Sequence, residues 1–301
     1  MTGSDGSIAD IEIAGCVAVV TGGAGGIGKG IVGALLRRGA TVVIADIEQA
    51  AIDAAVEELS GLGSATGVRT DVSDETSVAA LADYVYGTHG KCNLLYNNAG
   101  VTSGGGGKPW QQEPNDWRWC FSVNVFGVAI CVSEFVSRML ESGEPGQIIN
   151  TSSGDGGFAP VPTASVYASS KAAVSCFTEA LHHNLVSEDT QLRASVFYPS
   201  GGLLRTGLFT ASRNRPEHLA RVGEATGRKS MTFDEMKGML AAAGRDVTEA
   251  DLDALGDFVV AETAARRFII TMDLRDTVDL LRRRASAIGD LNVPPHHGMP
   301  V

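Results

Sequence analysis

The 301-residue chain reads as one α/β domain, a doubly wound parallel sheet with helices on both faces. Three observations predict this. Short β-rich runs alternate with longer helical patterns from residue 15 to about 200. Several of those runs are continuously apolar, as strands covered on both faces must be. The first of them leads straight into a glycine-rich turn and a helix, "TGGAGGIGKG" at 21–30. Regular βαβα alternation implies parallel strands joined by right-handed crossovers.

The elements follow in order. The first strand is "CVAVV" (16–20), and a helix over 27–38 places Ile27, Ile31, Leu35 and Arg38 at helical spacing. "TVVIA" (41–45) is the second strand, followed by a helix over 48–60 carrying Ile52, Val56 and Leu59. "GVRT" (67–70), "NLLYN" (93–97), "QIINTS" (147–152) and "RASVFY" (193–198) continue the sheet, with long helices over 113–142 and 167–187. After residue 200 the rhythm breaks, and 201–257 holds no strand candidate. "TFDE" (232–235) and "TEAD" (248–251) both have the Thr-x-x-acid form of a capping box, so a short helix is expected to begin at each. "RFIIT" (267–271) offers a last strand and "DTVDLLRRRASAI" (276–288) a closing helix. Residues 1–301 thus form a single domain, with 201–257 inserted over the cleft and irregular tails at 1–12 and 289–301.

Composition narrows the function. With 44% hydrophobic and 20% charged residues the chain can bury a sizeable core. A net charge of −11 leaves no basic face for nucleic acid, and the run "LLRRRA" (280–285) reads as the capping of a helix end. No run approaches the ~18 uninterrupted apolar residues of a membrane span. The start "MTGSDGSIAD" is polar and acidic, unlike a targeting peptide, so a cytoplasmic location is expected. Cys16, Cys92, Cys120, Cys131 and Cys176 are scattered and read as reduced, mostly buried thiols. No Cys or His pair has metal-ligand spacing, and the doublets His182-His183 and His296-His297 are expected in solvent.

The glycine-rich turn suits a phosphate held by backbone N–H groups at a helix N-terminus. It fits two patterns: the dinucleotide G-x-G-x-x-G from Gly23 to Gly28, and the triphosphatase G-x-x-x-x-G-K from Gly23 to Lys29. The second needs Ser or Thr after the lysine to hold Mg²⁺, and Gly30 stands there. The first needs an acidic residue at the end of the second strand to hold the adenosine ribose hydroxyls. Asp46 ends "TVVIAD". A surface aspartate at a strand end is the plainer alternative, but the glycine turn in register favours the ribose role. A carboxylate there repels the extra phosphate of NADP, and "DIEQA" brings no arginine to offset it, so NAD is the expected cofactor.

"SVYASSK" sets Tyr167 and Lys171 at i and i+4, on one helix face. Strand "QIINTSS" ends at Ser153, "NNAG" (97–100) ends another strand, and "VNVFG" places Asn124 in a helical pattern. Strand ends at the carboxyl edge are where doubly wound sheets bind ligands. These motifs resemble those of the short-chain dehydrogenase/reductase family, a Rossmann-type fold. The family's T-G-x-x-x-G-x-G stands here as Thr21, Gly22, Gly26 and Gly28, its N-N-A-G as Asn97 to Gly100, and its catalytic set as Asn124, Ser153, Tyr167 and Lys171. The matches run in family order across 16–199.

The resemblance implies a hydride transfer between a secondary alcohol or ketone and NAD. Tyr167 would be the general acid/base, Ser153 would hold the substrate oxygen, and Asn124 would hold a water linking Lys171 to solvent. Taking a phenol from its ordinary value of about 10 to near neutrality requires about 4 kcal/mol, which Lys171 and the oxidised nicotinamide together would supply. Cofactor contacts are expected from Gly22, Gly25, Gly26, Ile27, Gly28, Asp46, Asp71, Val72, Asn98, Gly100, Tyr167, Lys171 and Pro199. Asp71 and Val72 would meet adenine, although "TDV" (70–72) can equally be a plain strand end. Tyr167 could be a core tyrosine and Asn124 a satisfied helix-interior asparagine, and Ser152 competes with Ser153 for the serine role.

Two departures from the family stand out. Pro199 is followed by Ser200 instead of Gly, and Thr206, the candidate nicotinamide contact, comes about two residues late. The family's glycine-rich C-terminal ending is also absent. Phe158 and Phe209 suggest an apolar or aromatic alcohol. The rival functions are an NADPH-dependent carbonyl reductase and a catalytically silent dinucleotide sensor. Excess apolar residues on the helices (Trp117, Phe121, Val125, Val128 and Val132; Val174, Phe177 and Leu181) predict a homodimer or homotetramer. The segment 201–257 is expected to close over cofactor and substrate.

Overall fold

The computed structural model describes residues 9–103, 105–223, 228–229, 231–244 and 247–296. In chain order the first half runs β1 (Val17–Thr21), α1 (Gly26–Arg37), β2 (Thr41–Asp46), α2 (Gln49–Leu59), β3 (Ala65–Arg69), α3 (Glu75–His89), β4 (Leu94–Asn97), β5 (Gly105–Gly106), α4 (Pro114–Phe121) and α5 (Gly127–Ser142). The second half runs β6 (Gly146–Thr151), the short turn of helix α6 (Gly154–Gly157), α7 (Ser165–Ser187), β7 (Leu192–Phe197), β8 (Arg228–Lys229), α8 (Phe233–Ala242), α9 (Leu252–Ala264), β9 (Ile269–Ile270) and α10 (Arg275–Gly289). The main sheet is wholly parallel in the order β3-β2-β1-β4-β6-β7-β9. Each predicted strand is present, within two residues at either end.

Alternation along β1 divides the core. Ala18 and Val20 face a layer built from α1, α2 and α9, including Ile31, Leu35, Ile52 and Val259. Val17 and Val19 face the opposite layer from α3, α5 and α7, including Leu81, Phe135, Met139 and Leu185. Helices α1 and α9 cross at backbone contact: a Cβ on Gly30 would lie 2.2 Å from the Leu252 carbonyl oxygen, and one on Gly256 2.2 Å from the Gly30 carbonyl oxygen. Two small residues let these axes approach more closely than ordinary side chains permit.

Several local expectations are corrected. The capping box at Thr232 forms as read, with Thr232 Oγ1 accepting from Glu235 N and Glu235 returning to Thr232 N. The one at Thr248 does not. The next helix begins three residues later, where Asp251 accepts from Asp253 N and Ala254 N, because the backbone of Thr248 and Ala250 is hydrogen-bonded to Leu203. The last residues of 201–257 therefore belong to α9, a core-layer helix. Within the insertion Arg228–Lys229 pairs antiparallel with Gly105–Gly106, a strand too short for periodicity to reveal. The basic run 282–284 lies inside α10, not at its end. His182 is half-buried, its Nδ1 2.8 Å from the Ala194 carbonyl oxygen and its ring against Phe268; His183 is exposed, and His297 lies outside the described residues.

From Pro114 to Ser142 the helix is continuous and, among the described residues, is the one long and apolar enough to match a membrane span in composition. It is a layer of the sheet domain, with Cys131, Phe135 and Met139 in the core. Cys16, Cys92, Cys120 and Cys131 are buried free thiols and Cys176 is an exposed one.

Candidate active site

Strand order reverses between β1 and β4, so their carboxyl ends diverge and leave a crevice. A cleft of about 1220 Å³ opens there, reaching from Asp46 and Asp71 at one end to Trp110, Phe209 and Met236 at the other. Of the expected cofactor contacts, Gly22, Gly25, Gly26, Ile27, Asp46, Asp71, Val72, Asn98, Gly100, Tyr167, Lys171 and Pro199 line it.

Gly28 does not line the cleft. A Cβ there would sit 2.1 Å from the Gly22 carbonyl oxygen and 2.8 Å from Asn98 Nδ2, so this glycine lets α1 pack beneath the turn instead of meeting a ligand. Asn98 fastens the turn from the other side, donating from Nδ2 to the carbonyls of Thr21 and Gly22 at 3.2 Å. The Thr21 hydroxyl accepts from the backbone N–H groups of Asn98 and Ala99. The turn is thus clamped between two strand ends, with the N-terminus of α1 facing the cleft.

Asp46 ends β2, its carboxylate accepting from Ala24 N and Glu48 N at 3.2 Å each. Burial pushes its pKa up, and those amides oppose the shift. Asp71 is turned partly inward, accepting from Ser73 N and Ser73 Oγ, and Val72 packs against Gly127. These placements fit a dinucleotide: N–H groups at a glycine turn for phosphates, and a carboxylate at the second strand end for ribose hydroxyls.

The chemical end is assembled from two elements, the end of β6 and the start of α7. Ser153 follows β6, and its Oγ accepts from Asp155 N at 3.2 Å. Tyr167 and Lys171 project from the first turns of α7, with Lys171 Nζ 5.8 Å from the tyrosine ring centroid. Lys171 is 4% exposed, and its Nζ donates to the Thr151 carbonyl at 2.8 Å. Burial lowers its pKa to about 8. Burial likewise pushes the Tyr167 hydroxyl above its ordinary value, and a hydrogen bond with Ser153 opposes this. Both groups are thus displaced from their ordinary values by the same cause, burial at the floor of the cleft. Ser152 is buried and bonded to the Lys171 carbonyl and Ser175, which leaves Ser153 as the serine beside the tyrosine.

Asn124 does not line the cleft. It is fully buried within a π-helical turn over Ser122–Phe126, a geometry that places an extra residue in a helix and is frequent at functional sites. Its Oδ1 accepts from Val101 N at 2.8 Å, and its Nδ2 donates to Val101 O and Ser170 Oγ at 2.9 Å. A Cβ on Gly100 would lie 3.4 Å from both Asn124 Oδ1 and Lys171 Nζ, so the two side chains converge on this residue.

The wall of the substrate end departs from expectation in one place. Phe158 stacks on Tyr198 at 4.2 Å and does not line the cleft. Phe209 does, set edge-on to Phe233, and the insertion adds Leu208, Met231 and Met236. Thr206 lines the cleft and packs on Gly26, while Ser200 is tied to Thr271 Oγ1 and Met272 N, so the altered loop is held by the two residues that follow β9. Trp110, 78% exposed, stands at the mouth with the Lys108 ammonium over its ring.

Sequence reasoning missed what anchors this wall. Asp116, fully buried at the start of α4, accepts from Arg215 Nη1 and Arg221 Nε at 2.8 Å and from Arg221 Nη2 at 2.9 Å. Burial pushes this carboxyl up, but the two arginines hold it below its usual range. Glu113 accepts from Val222 N and Gly223 N. No periodicity links residues about a hundred positions apart, so only their charge was visible.

The short chain dehydrogenase family matches residues 16–216. The C alpha-dehydrogenase of Sphingobium sp. (strain NBRC 103272 / SYK-6) is 36% identical over 218 residues, covering 71% of this chain and 69% of that protein. The 7alpha-hydroxysteroid dehydrogenase of Escherichia coli (strain K12) is 36% identical over 167 residues, covering 55% of this chain and 64% of that protein. A short chain dehydrogenase/reductase from Burkholderia phymatum, solved in complex with NAD, superposes with a TM-score of 0.85 at 33% identity, covering 96% of this chain and all of that one. With motifs, topology and these relatives in agreement, the chain belongs to the short-chain dehydrogenase/reductase family of oxidoreductases.

Proposed function

We propose that the protein is an NAD-dependent dehydrogenase of an apolar or aromatic secondary alcohol, with Tyr167 as general acid/base. The observation that carries this reading is the cleft itself: Ser153, Tyr167 and Lys171 meet at one end and Asp46 stands at the other. When bound, NAD supplies the hydride acceptor and, oxidised, a positive charge near the phenol. Ser153 holds the substrate oxygen by a hydrogen bond, Tyr167 takes the hydroxyl proton, and Lys171 favours the phenolate by its charge. Asn124 acts by position, fixing the Gly100–Val101 backbone beside Lys171. The similarity to a dehydrogenase acting on a hydroxysteroid supports a bulky ring system as substrate, as do Trp110, Phe209, Met231 and Met236 along the wall. The test is the initial rate of NAD reduction over aromatic, alicyclic and steroidal alcohols. NADPH-driven ketone reduction exceeding it, or NAD binding without turnover of any alcohol, would replace this reading by one of its rivals.

The reading includes a cytoplasmic homodimer or homotetramer. Val128 and Val174 are absorbed by the core, but Trp117, Phe121, Val125, Val132, Phe177 and Leu181 remain half-buried and Phe126 is 59% exposed. A second copy packed across a twofold axis would cover this face. Sedimentation at micromolar concentration should give twice or four times the 31.3 kDa chain mass, and a monomer mass would end the proposal.

It also includes closure of the insertion over the bound ligands. Residues 207–223 are pinned by Asp116, so movement is assigned to Met231 and α8, which is seated through Phe233 against Phe209 and tied by exposed ion pairs of Arg205 with Asp234 and Glu249 and of Lys237 with Glu249. Amide exchange across 203–240 should slow when NAD and a substrate analogue are added, most of all over 231–242. Equal exchange in both states would make the segment a static wall.

A further inference from the structure

At the Asp46 end of the cleft the insertion reaches back over the second strand. Arg213 Nη2 donates to Glu48 Oε1, and Asn214 Nδ2 donates to the same oxygen at 2.9 Å. Glu48 is tied in turn to Asp46, whose carboxylate accepts from Glu48 N. Asp46, Glu48, Arg213 and Asn214 all line the cleft. Arg69, the register partner of Asp46, donates to the Ile47 carbonyl and does not line it, and Lys29 is paired with Glu58. Arg213 is thus the guanidinium that faces this end, and Glu48 neutralises it.

We propose that Glu48 is a second determinant of cofactor choice, acting by occupying Arg213, which is otherwise a preformed site for the 2′-phosphate of NADP. The proposal rests on the reading that Asp46 receives the adenosine ribose. A 2′-phosphate placed there meets two carboxylates and an arginine already satisfied by one of them. Removing Asp46 alone relieves one repulsion and creates no attraction, because the Glu48–Arg213 pair stays neutral. Removing the Glu48 charge as well leaves the guanidinium uncompensated. It does not wander, since Nη1 is held by the Gly207 carbonyl at 3.1 Å, the Thr210 carbonyl at 2.9 Å and Thr210 Oγ1 at 2.8 Å. A planar cation fixed by its own turn, with its second nitrogen released, suits a phosphate. Glutamine at 48 keeps the side chain's size and an oxygen for Asn214, and removes the charge that holds Arg213.

The experiment compares Asp46→Ala, Asp46→Ala/Glu48→Gln, Asp46→Ala/Arg213→Ala and the triple variant. It reads the ratio of kcat/KM with NADP to that with NAD, and the Kd of adenosine 2′,5′-bisphosphate by calorimetry. Asp46→Ala should raise the ratio. Adding Glu48→Gln should raise it about tenfold more and tighten the bisphosphate by a similar factor, the scale of one charge-assisted contact. Arg213→Ala should abolish that second gain and produce none by itself. If Asp46→Ala leaves the ratio unchanged, Asp46 is not at the ribose and the proposal falls with that reading. If Asp46→Ala acts but Glu48→Gln adds less than about twofold, the Glu48 role alone is overturned. The same follows if the gain survives Arg213→Ala, or if Arg213→Ala reproduces it by loosening the insertion.

Discussion

Tyr167→Phe should lower alcohol oxidation by about three orders of magnitude while leaving NAD affinity within a factor of about two, because only the proton acceptor is lost. Steady-state rates and a nucleotide titration measure the two effects separately. A variant that keeps more than about a tenth of the rate would remove Tyr167 from proton transfer. Lys171→Met should lose activity comparably and gain stability. The buried ammonium has a folded pKa of about 8, below its unfolded value of about 10.4, so the fold disfavours the charge. Wild-type stability should therefore rise as pH climbs from about 8 to about 10.4, where the unfolded chain still binds the proton and the native one does not. Below pH 8 the methionine variant escapes that penalty, less the bond to the Thr151 carbonyl, a net gain of about 2 kcal/mol. Thermal midpoints at pH 7 and pH 10 check the sign: the advantage should shrink at the higher pH.

Asp116→Ala should cost about 3–5 kcal/mol, the scale for removing one partner from a buried ion cluster. Arg215 and Arg221 are only 10% and 18% exposed, and both lose their counter-charge. Arg215 also lies over the Trp119 ring, which lines the cleft, so the damage should reach the substrate wall and raise KM for alcohol more than KM for NAD. The Asp116 carboxyl titrates below its usual range, so its contribution is complete above about pH 4 and is lost as pH falls through the folded value. Urea unfolding at pH 7 measures the cost, and a loss under about 1 kcal/mol would mean that solvent already screens the cluster.

These two sites differ in how far the sequence discloses them. Tyr167 and Lys171 share a helix face at a local spacing, and Gly22, Asp46 and Ser153 mark strand ends, so the periodicities that specify the elements also place the site. The parallel sheet and its two helical layers follow from the same patterns, whereas the strand order is visible only in the structure. Asp116, Arg215 and Arg221 meet only through folding of an aperiodic insertion, and Glu48 with Arg213 likewise. The π-turn at Asn124 leaves no trace in periodicity, because it adds one residue within a helix that continues through Gly127 with helical backbone angles. Thr248 has the spacing of a capping box, but its backbone is hydrogen-bonded to Leu203 and Asp251 takes the cap. Phe158, apolar and close after Ser153, suggests a substrate wall from sequence, but its ring packs on Tyr198 instead of the cleft. Local pattern locates chemistry held on regular elements; it is silent where distant loops are brought together by charge.

The hydrogen bonds from Leu203 N to the Thr248 carbonyl at 2.8 Å and from Ala250 N to the Leu203 carbonyl at 3.0 Å close the insertion on itself at its root. Everything between leaves and re-enters the domain at one point, so its length is nearly independent of the sheet beneath: doubling a loop adds only about 0.6 kcal/mol of closure entropy. Such an excursion is a cassette. Segments of other lengths could be grafted after Thr206 without disturbing strand order or the glycine turn, provided that each brings its own answer to Asp116, Glu113 and Glu48. Substrate range can then diversify in one stretch of chain while the rest stays constant.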